Sequence, residues 1–251
     1  MDTLFVGRNV IYLPKVESTN SYAINLLKNV KVSEGTVIHT NHQTNGKGQR
    51  GNAWHSEKDS NLILSVIFKP SFLSIQNQYY LYQFVALALH DFMSQIVVNR
   101  QIDIKIKWPN DIYINSKKIA GILIENIVAN KRIEQSVIGI GINVNQTQFD
   151  ERLNATSLSN LCNQSFDLKV LMPLLFAQIE KYYLLLRNGK QQVINGKYHH
   201  ALYKINEFSN FEINGLLKNY KITGVSESGL LNLTDENGEM KSFDVKEIKW
   251  H

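Results

Sequence analysis

The chain has 251 residues, of which 43% are hydrophobic and 20% are charged. That length is sufficient for one large core and a small additional domain, and it contains no run of about 20 apolar residues that could span a membrane. The formal net charge of +5 suits an anionic ligand or an acidic protein; nucleic acid is less favoured because the basic residues are scattered. The absence of a signal-peptide pattern and the single cysteine, Cys162, favour the cytoplasm.

Strands and helices are interleaved through the first 200 residues. Ser18, Thr19 and Asn20 are good helix N-caps, and apolar residues follow at helical spacing, which predicts a helix after residue 18. A buried central strand is predicted at residues 61–68, because the segment is apolar at every second position on both faces. The remaining predictions are strands at 36–43, 102–108, 112–114, 119–127 and 137–144, a loop at 44–55, and helices at 79–98, 171–186 and 191–203.

The pattern changes after about residue 206. Short predicted strands at 211–213, 216–225, 229–234 and 240–245 are separated by Asn-Gly and Glu-Ser-Gly turns, which is a hairpin signature. We therefore predict an α+β domain at residues 1–205, with a mixed central β-sheet flanked by helices, and a small β-barrel at residues 206–251.

A glycine-rich segment, Gln-Thr-Asn-Gly-Lys-Gly-Gln-Arg-Gly at residues 43–51, follows a predicted strand. Glycine lets the backbone approach a ligand and direct N–H groups at an anion, and Lys47 and Arg50 add positive charge. The spacing is neither that of a Walker A loop nor that of a dinucleotide fingerprint. Taken alone, the segment fits a phosphate-binding loop and a flexible surface loop equally well.

A second motif, Lys-Trp-Pro-Asn-Asp at residues 107–111, lies at the end of a predicted strand. The Asn110 amide suits an adenine edge and the Asp111 carboxylate suits a ribose hydroxyl or a magnesium ion, although both residue types also cap turns. Lys118 begins the strand Lys-Ile-Ala-Gly-Ile-Leu, whose next residues are apolar or small. We therefore expect Lys118 to project near a buried surface, whereas Lys117 fits a solvated lysine.

Glycines recur in the predicted strand at 137–144. Gly139, Gly141 and Asn143 share one face because alternate residues of a strand point the same way. Two glycines on one face would leave a bare strip of backbone for a flat ligand, with Asn143 at its end as a hydrogen-bonding group. A β-bulge is the competing explanation.

In their order along the chain, these motifs closely resemble the biotin–protein ligase (biotin–acetyl-CoA-carboxylase ligase) family. The resemblance extends over nearly the whole chain, and Lys-Trp-Pro-Asn-Asp with Lys-Ile-Ala-Gly-Ile-Leu is its most specific part. It implies a class II synthetase-like mixed sheet followed by an SH3-like barrel. Because the motifs begin near the N-terminus, the expected form is one that lacks an N-terminal DNA-binding domain.

The resemblance also implies an activity. Members of the family make biotinyl-5′-AMP from biotin and ATP with Mg²⁺ and then transfer biotin to a lysine of a biotin carboxyl carrier protein. The expected chain is thus a cytoplasmic ligase, monomeric or homodimeric, with no DNA or membrane partner. The magnesium ligands and the base for the transfer step are not identified by any motif.

Residue roles are carried over from the same resemblance. Lys118, Lys47 and Arg50 would be the catalytic groups, with Lys118 at the reacting carboxylate and phosphate. Biotin would contact Ser18, Thr19, Asn20, Gln43, Gly46, Lys47, Gly48, Gln49, Lys118 and Gly121. The nucleotide would contact Arg50, Trp54, Asn110, Asp111, Gly139, Gly141 and Asn143. Many relatives have arginine in place of Lys47 and Gln49, so we expect this chain to hold the adenylate less tightly.

Three alternatives are less well supported. A lipoate or octanoate ligase shares the catalytic fold but does not account for residues 107–111 or the barrel. A non-catalytic biotin sensor or nucleic-acid-binding module is compatible with the charge and the barrel, but the glycine loop and Lys118 argue against it. A zinc site at His39, His42 and His55 is disfavoured because their spacing matches no zinc pattern.

Overall fold

The structure, a computed structural model, describes residues 3–97 and 102–250. The helices within these ranges are α1 (Thr19–Asn29), α2 (Tyr79–Ile96), α3 (Leu158–Cys162), α4 (Leu168–Arg187) and α5 (Gln191–His200). The strands of the first sheet are β1 (Val10–Leu13), β2 (Val37–Thr40), β3 (Leu62–Phe68), β4 (Ile104–Lys107), β5 (Asp111–Ile114), β6 (Lys117–Ala129) and β7 (Arg132–Ile142). The second sheet, here the C-terminal sheet, contains β8 (Phe208–Ile213), β9 (Leu216–Val225), β10 (Leu231–Thr234), β11 (Met240–Phe243) and β12 (Ile248–Trp250).

The first sheet is mixed. Its strand order is β1-β2-β3-β7-β6-β5-β4, in which β1 and β2 are parallel and all other neighbours are antiparallel. Antiparallel neighbours joined by short turns explain the β4–β5–β6–β7 run, whose segments follow each other directly in sequence. The predicted α+β fold, with a mixed sheet and flanking helices, is confirmed.

Helices cover both faces of this sheet. On one face, Ala23 of α1 packs with Ile38, Ile67 and Val137. On the other face, Phe68 and its alternate neighbours join the larger core, to which α2, α4 and α5 contribute. Because alternate residues of a strand point to opposite faces, a strand covered on both sides is apolar throughout. All of β3 is buried, as predicted for the central strand.

The C-terminal sheet is antiparallel, with the order β11-β10-β9-β8-β12. The turn between β9 and β10 rests on the first part of the fold, where Trp108 Nε1 donates to the carbonyl oxygen of Gly229 at 2.9 Å. Gly229 has φ +94° and lies against the Tyr79 ring, and an added Cβ would come within 2.4 Å of Tyr79 Cδ2. A glycine is therefore required where this turn meets Trp108, which is buried.

The predicted elements differ from the observed ones mainly at their ends. The helix predicted at 79–98 ends at Ile96, and Val98 lies outside the described residues. The strand predicted at 240–245 ends at Phe243. Strands β1 and β12 and helix α3 were not predicted, because each is short and lacks an extended hydrophobic period.

The N-terminal segment is attached to α4 through one buried carboxylate. Glu180 accepts backbone N–H groups from Leu4, Phe5 and Val6 at 2.6, 2.7 and 2.9 Å. Hydrogen bonds to a charged group are stronger than neutral ones, and a buried donor that loses its partner is destabilising. This one side chain therefore holds the first described residues against the core.

Replacing Glu180 by glutamine is expected to lower the free energy of unfolding by about 2–3 kcal/mol, because one acceptor oxygen becomes a donor that faces other donors. Urea unfolding followed by circular dichroism measures the change. Glu151→Gln, at an exposed position, is the control and should leave the midpoint where it is. Equal midpoints for the two variants would show that the carboxylate contributes nothing to holding the segment.

Candidate functional site

A cavity of about 270 Å³ lies on the α1 face of the first sheet and is called the main cavity here because most of the predicted site residues border it. Its walls come from the start of α1, the glycine loop and strands β5, β6 and β7. Most of the site residues predicted from the sequence border it: Ser18, Thr19, Asn20, Gln43, Lys47, Gly48, Gln49, Arg50, Trp54, Asn110, Asp111, Lys118, Gly121, Gly139 and Gly141. The two exceptions are Gly46 and Asn143, which do not line it.

The start of α1 forms a hydrogen-bonded corner of the cavity. Ser18 caps the helix, and its Oγ accepts the N–H of Ser21. Both the N–H and the hydroxyl of Thr19 donate to Gln43 Oε1, at 2.8 and 3.2 Å. The helix N-terminus and its cap thus bring the amide of Gln43, from the distant glycine loop, to the same wall.

Two residues that the sequence did not single out complete this network. The hydroxyl of Ser65 lies 2.7 Å from Thr19 Oγ1 and 2.6 Å from Asn20 Oδ1. Asn20 Nδ2 donates to Glu125 Oε2 at 2.8 Å. The signal for Ser65 was present, since it is the one polar residue within the apolar strand Leu62–Phe68. Glu125 gave no such signal, because β6 is polar at several positions.

Side chains cover the glycine strip of β7. The face of the strand was predicted correctly, but a Cβ on Gly139 would lie 2.4 Å from Asn20 Oδ1, and one on Gly141 would lie 2.4 Å from Trp54 Cε2. A Cβ on Gly121 of β6 would lie 3.0 Å from the same indole ring. The expectation of a bare strip is therefore wrong: the glycines make room for Asn20 and Trp54, which in turn form the cavity wall.

The Trp54 indole lines the cavity and has a hydrogen-bond donor that a ligand could use. Its Nε1 is buried and has no hydrogen-bond partner among residues 3–97 and 102–250. Buried donors are nearly always paired, so an orphan at a cavity wall points to a partner that arrives with the ligand. A second cavity of about 590 Å³ lies beyond the ring and is bordered by Gly46, His55 and Gln146 among others.

The glycine loop folds as a tight hairpin. The N–H of Trp54 donates to the Gly46 carbonyl at 2.8 Å, and the N–H of Gly48 donates to the Asn52 carbonyl at 2.7 Å. At its tip, Arg50 has φ +58° in a short 3₁₀ turn at Gln49–Gly51. The sequence predicted a loop, and the hairpin now explains how Lys47 and Arg50 both come to border the cavity.

Lys118 and Asp111 form an ion pair at the cavity wall. Their Nζ and Oδ1 atoms are 2.7 Å apart, and the side chains are 28% and 20% exposed. Lys118 Nζ also lies 5.5 Å from the centre of the Trp54 ring. Burial raises the pKa of the Asp111 carboxyl, and the charge of Lys118 opposes that rise. As expected, Lys118 meets a buried surface while Lys117 is exposed.

The two asparagines predicted near the nucleotide have different surroundings. Asn110 borders the cavity, and its Nδ2 donates to the Ile122 carbonyl at 2.8 Å. Asn143 is 4% exposed, and its Nδ2 donates to the Thr156 carbonyl at 3.0 Å. The position of Asn143 differs from the prediction because strand β7 ends at Ile142, so its side chain fixes the segment that follows the sheet.

Val245, which follows β11 of the C-terminal sheet, also lines the main cavity. Nothing in the sequence singled it out, because its position depends on how the C-terminal sheet docks.

Among the described residues, no three His, Cys, Asp or Glu side chains are arranged to hold a metal ion. The helices in the same ranges include none that is long and apolar enough to cross a membrane.

The fold and the cavity together define an α+β protein with a small-molecule site that is walled by glycine-backed side chains and bordered by cations. The model of the Biotin/lipoate A/B protein ligase family matches residues 12–143. Because this match extends over more than half of the chain, the chain belongs to that family.

Individual relatives agree with this assignment. The chain is 36% identical over 171 residues to the bifunctional ligase/repressor BirA of Bacillus spizizenii, a match covering 66% of this chain and 51% of that protein. It is 30% identical over 160 residues to the biotin–[acetyl-CoA-carboxylase] ligase of Mycobacterium tuberculosis, covering 64% and 58%. The chain thus spans about half the length of the curated relatives it matches.

Among solved structures, the biotin protein ligase of Aquifex aeolicus in complex with biotin and ATP superimposes with a TM-score of 0.80 and 26% sequence identity. That similarity covers 97% of this chain and 99% of the Aquifex chain, so it includes the C-terminal sheet.

Proposed function

We propose that this chain is an ATP-dependent biotin–protein ligase. It would form biotinyl-5′-AMP from biotin and ATP and then transfer biotin to a lysine of a biotin carboxyl carrier protein or domain. The observation that carries the proposal is the Lys118–Asp111 ion pair, set in a cavity that Lys47 and Arg50 also border. The similarity to a ligase whose structure contains both biotin and ATP supports it.

In the first step, the biotin carboxylate attacks the α-phosphorus of ATP, an acyl–phosphate bond forms, and pyrophosphate leaves. Two anions must approach each other, and negative charge builds on the phosphoryl oxygens. Lys118, Lys47 and Arg50 are the cations at the cavity that can offset this charge. Asp111 keeps the Lys118 ammonium oriented, because the ion pair fixes one end of a long, flexible side chain.

In the second step, the amine of the acceptor lysine attacks the acyl carbon, an amide forms, and AMP leaves with the anhydride oxygen. Water competes with the amine for the same carbon, so the intermediate must be shielded. The glycine hairpin and Val245 border the cavity from opposite parts of the chain and are placed to shield it. Asp111 is the one carboxylate among the described residues that line the cavity, where it can orient the incoming amine.

Magnesium would enter with the nucleotide. The described residues hold no cluster of three His, Cys, Asp or Glu ligands, so Asp111 is the carboxylate we propose beside the ion, and the phosphates of ATP would supply other oxygen ligands. We propose that the ion binds as part of the MgATP substrate. We also propose that the protein is cytoplasmic and is a monomer or a homodimer.

The direct test is to incubate the protein with MgATP and labelled biotin, with and without a carrier domain. We expect labelled biotinyl-AMP without the carrier and labelled carrier with it. Lipoate in a parallel pyrophosphate-release assay distinguishes the other ligase activity of the family. Turnover with lipoate and none with biotin would refute the proposal.

The raised pKa of Asp111 leads us to predict a pH dependence for this activity. Because burial raises its pKa, Asp111 takes up a proton at a higher pH than an ordinary aspartate, whose value is 3.8. The proton removes the charge that faces Lys118, so kcat/KM should fall along an acid limb centred above that value. Asp111→Asn should be less active, with this limb absent from its profile.

The effect of Asp111 protonation on folding stability distinguishes the expected loss of kcat/KM in acid from a loss caused by unfolding. A carboxyl whose pKa is higher in the folded state stabilises the fold below its unfolded pKa, and that contribution is lost as pH rises through the folded value. Acid should therefore lower kcat/KM without Asp111 contributing to any fall in Tm. Persistence of the same acid limb in Asp111→Asn would assign it to another group.

A further inference from the structure

Gln49, at the tip of the glycine hairpin, is attached to a residue that does not border the cavity. Its Nε2 donates to the hydroxyl of Tyr82 at 3.2 Å. Within the described part of the chain, the other hydrogen bonds of hairpin residues 46–54 join the hairpin to itself, such as the one from Gly48 to Asn52. The contact with Tyr82 links the tip to helix α2, on which the larger core is built.

Tyr82 is itself held firmly. Its ring stacks on Tyr79 with a centroid distance of 5.8 Å and an interplanar angle of 29°. The Tyr79 hydroxyl pairs with the Tyr198 hydroxyl of α5 at 2.7 Å. Gly229, in the turn between β9 and β10 of the C-terminal sheet, also packs against the Tyr79 ring. The hydroxyl that meets Gln49 therefore has a position fixed by α2, α5 and the C-terminal sheet together.

The phenol is also in a single protonation state. Burial raises the pKa of Tyr82, and hydrogen bonds from Gln49 and from the backbone of Ile124 only partly oppose that rise. The Tyr82 hydroxyl is therefore neutral at physiological pH. It accepts the amide N–H of Gln49 in this one protonation state. A rigid, neutral acceptor is suited to holding the hairpin tip in one place.

We propose that Tyr82 is a positioning residue, which holds the glycine hairpin over the cavity before any ligand binds. The inference rests on the proposed function, because the hairpin carries Lys47 and Arg50 to the reacting phosphate. Tyr82 does not line the cavity, and it acts through Gln49. Pre-ordering the hairpin lowers the conformational cost that each binding event must overcome.

The expected size follows from the strength of one neutral hydrogen bond, which changes an equilibrium about fivefold. Without the Tyr82 hydroxyl, the closed hairpin should be about fivefold less favoured, and the apparent affinity for ligands should fall by at most the same factor. Saturating ligand restores the closed state. KM for biotin is therefore expected to rise, by no more than about fivefold, while kcat changes by less than about twofold.

The test is a double-mutant cycle of Tyr82→Phe and Gln49→Ala, with hydrogen exchange of residues 46–54 measured in the ligand-free protein. Each single variant should speed exchange about fivefold, and the double variant should be no faster than either, because both remove one bond. Tyr80→Phe is the matched control, since it removes a hydroxyl of the same helix that makes no hydrogen bond to the hairpin within the described ranges.

Unchanged exchange in Tyr82→Phe, or additive effects in the double variant, would overturn the inference. Gln49→Ala changes only the hairpin tip, so it tests the same bond even if the α2 variant folds poorly. Because exchange is measured without substrates, the positioning role can succeed or fail independently of ligase activity. The KM and kcat measurements then show whether an anchored hairpin matters for the reaction.

Discussion

Lys118→Ala is expected to lower the rate of biotinyl-AMP formation about 10²–10³-fold, the usual effect of removing one group that stabilises transition-state charge. The ammonium lies at the cavity wall, 2.7 Å from Asp111 and over the Trp54 ring, so no solvent-exposed lysine can replace it. Single-turnover formation of labelled biotinyl-AMP measures the loss. Lys117→Ala is the control, because that neighbour is exposed and should retain the wild-type rate.

A second variant separates catalysis from stability. Lys118→Ala leaves the mostly buried Asp111 carboxylate without its partner, which is itself destabilising. Adding Asp111→Asn removes that unpaired charge, so the double variant should recover thermal stability and not the rate. If the double variant recovered both, Lys118 would be a structural residue and its catalytic assignment would be wrong.

Features set by local pattern could be predicted well. The central strand β3, the cap at Ser18 and the exposure difference between Lys117 and Lys118 all follow from periodicity, capping chemistry and neighbouring side-chain size. Nearly all of the site residues that the motifs and the resemblance indicated also border the cavity. Short elements were missed, since three to five residues do not display a period.

Features set by long-range contacts could not be predicted. The filling of the glycine strip depends on Asn20 and Trp54 arriving from elsewhere in the chain, which alternation within β7 does not reveal. Val245 and Tyr82 reach the site or its hairpin only through docking of the C-terminal sheet and α2. Sequence patterns indicate which face of a strand or helix carries unusual residues. Which side chains pack against that face is decided by tertiary structure.

The filled glycine strip has a large predicted effect of its own. In Gly141→Ala, the new Cβ would lie 2.4 Å from Trp54 Cε2 and 2.7 Å from Nε1, so the indole must leave its place. Overpacking of this kind destabilises by about 1–3 kcal/mol, and the displaced ring would also deform the cavity wall. We expect a lower Tm and at least about a tenfold loss of biotin affinity, equivalent to about 1.4 kcal/mol.

Gly196→Ala provides a control with the opposite sign. A Cβ there meets no atom within 4 Å, and the residue lies inside helix α5. Alanine in a helix interior is favoured over glycine by about 0.5–1 kcal/mol, so Tm should rise and biotin affinity should stay constant. The strain in Gly141→Ala is between the new methyl group and the Trp54 ring. In the double variant Gly141→Ala/Trp54→Phe, the smaller phenyl ring should relieve part of this strain. Were Gly141→Ala to stabilise the protein as Gly196→Ala does, the indole could not be resting on the strand, and the cavity wall would have to be built differently.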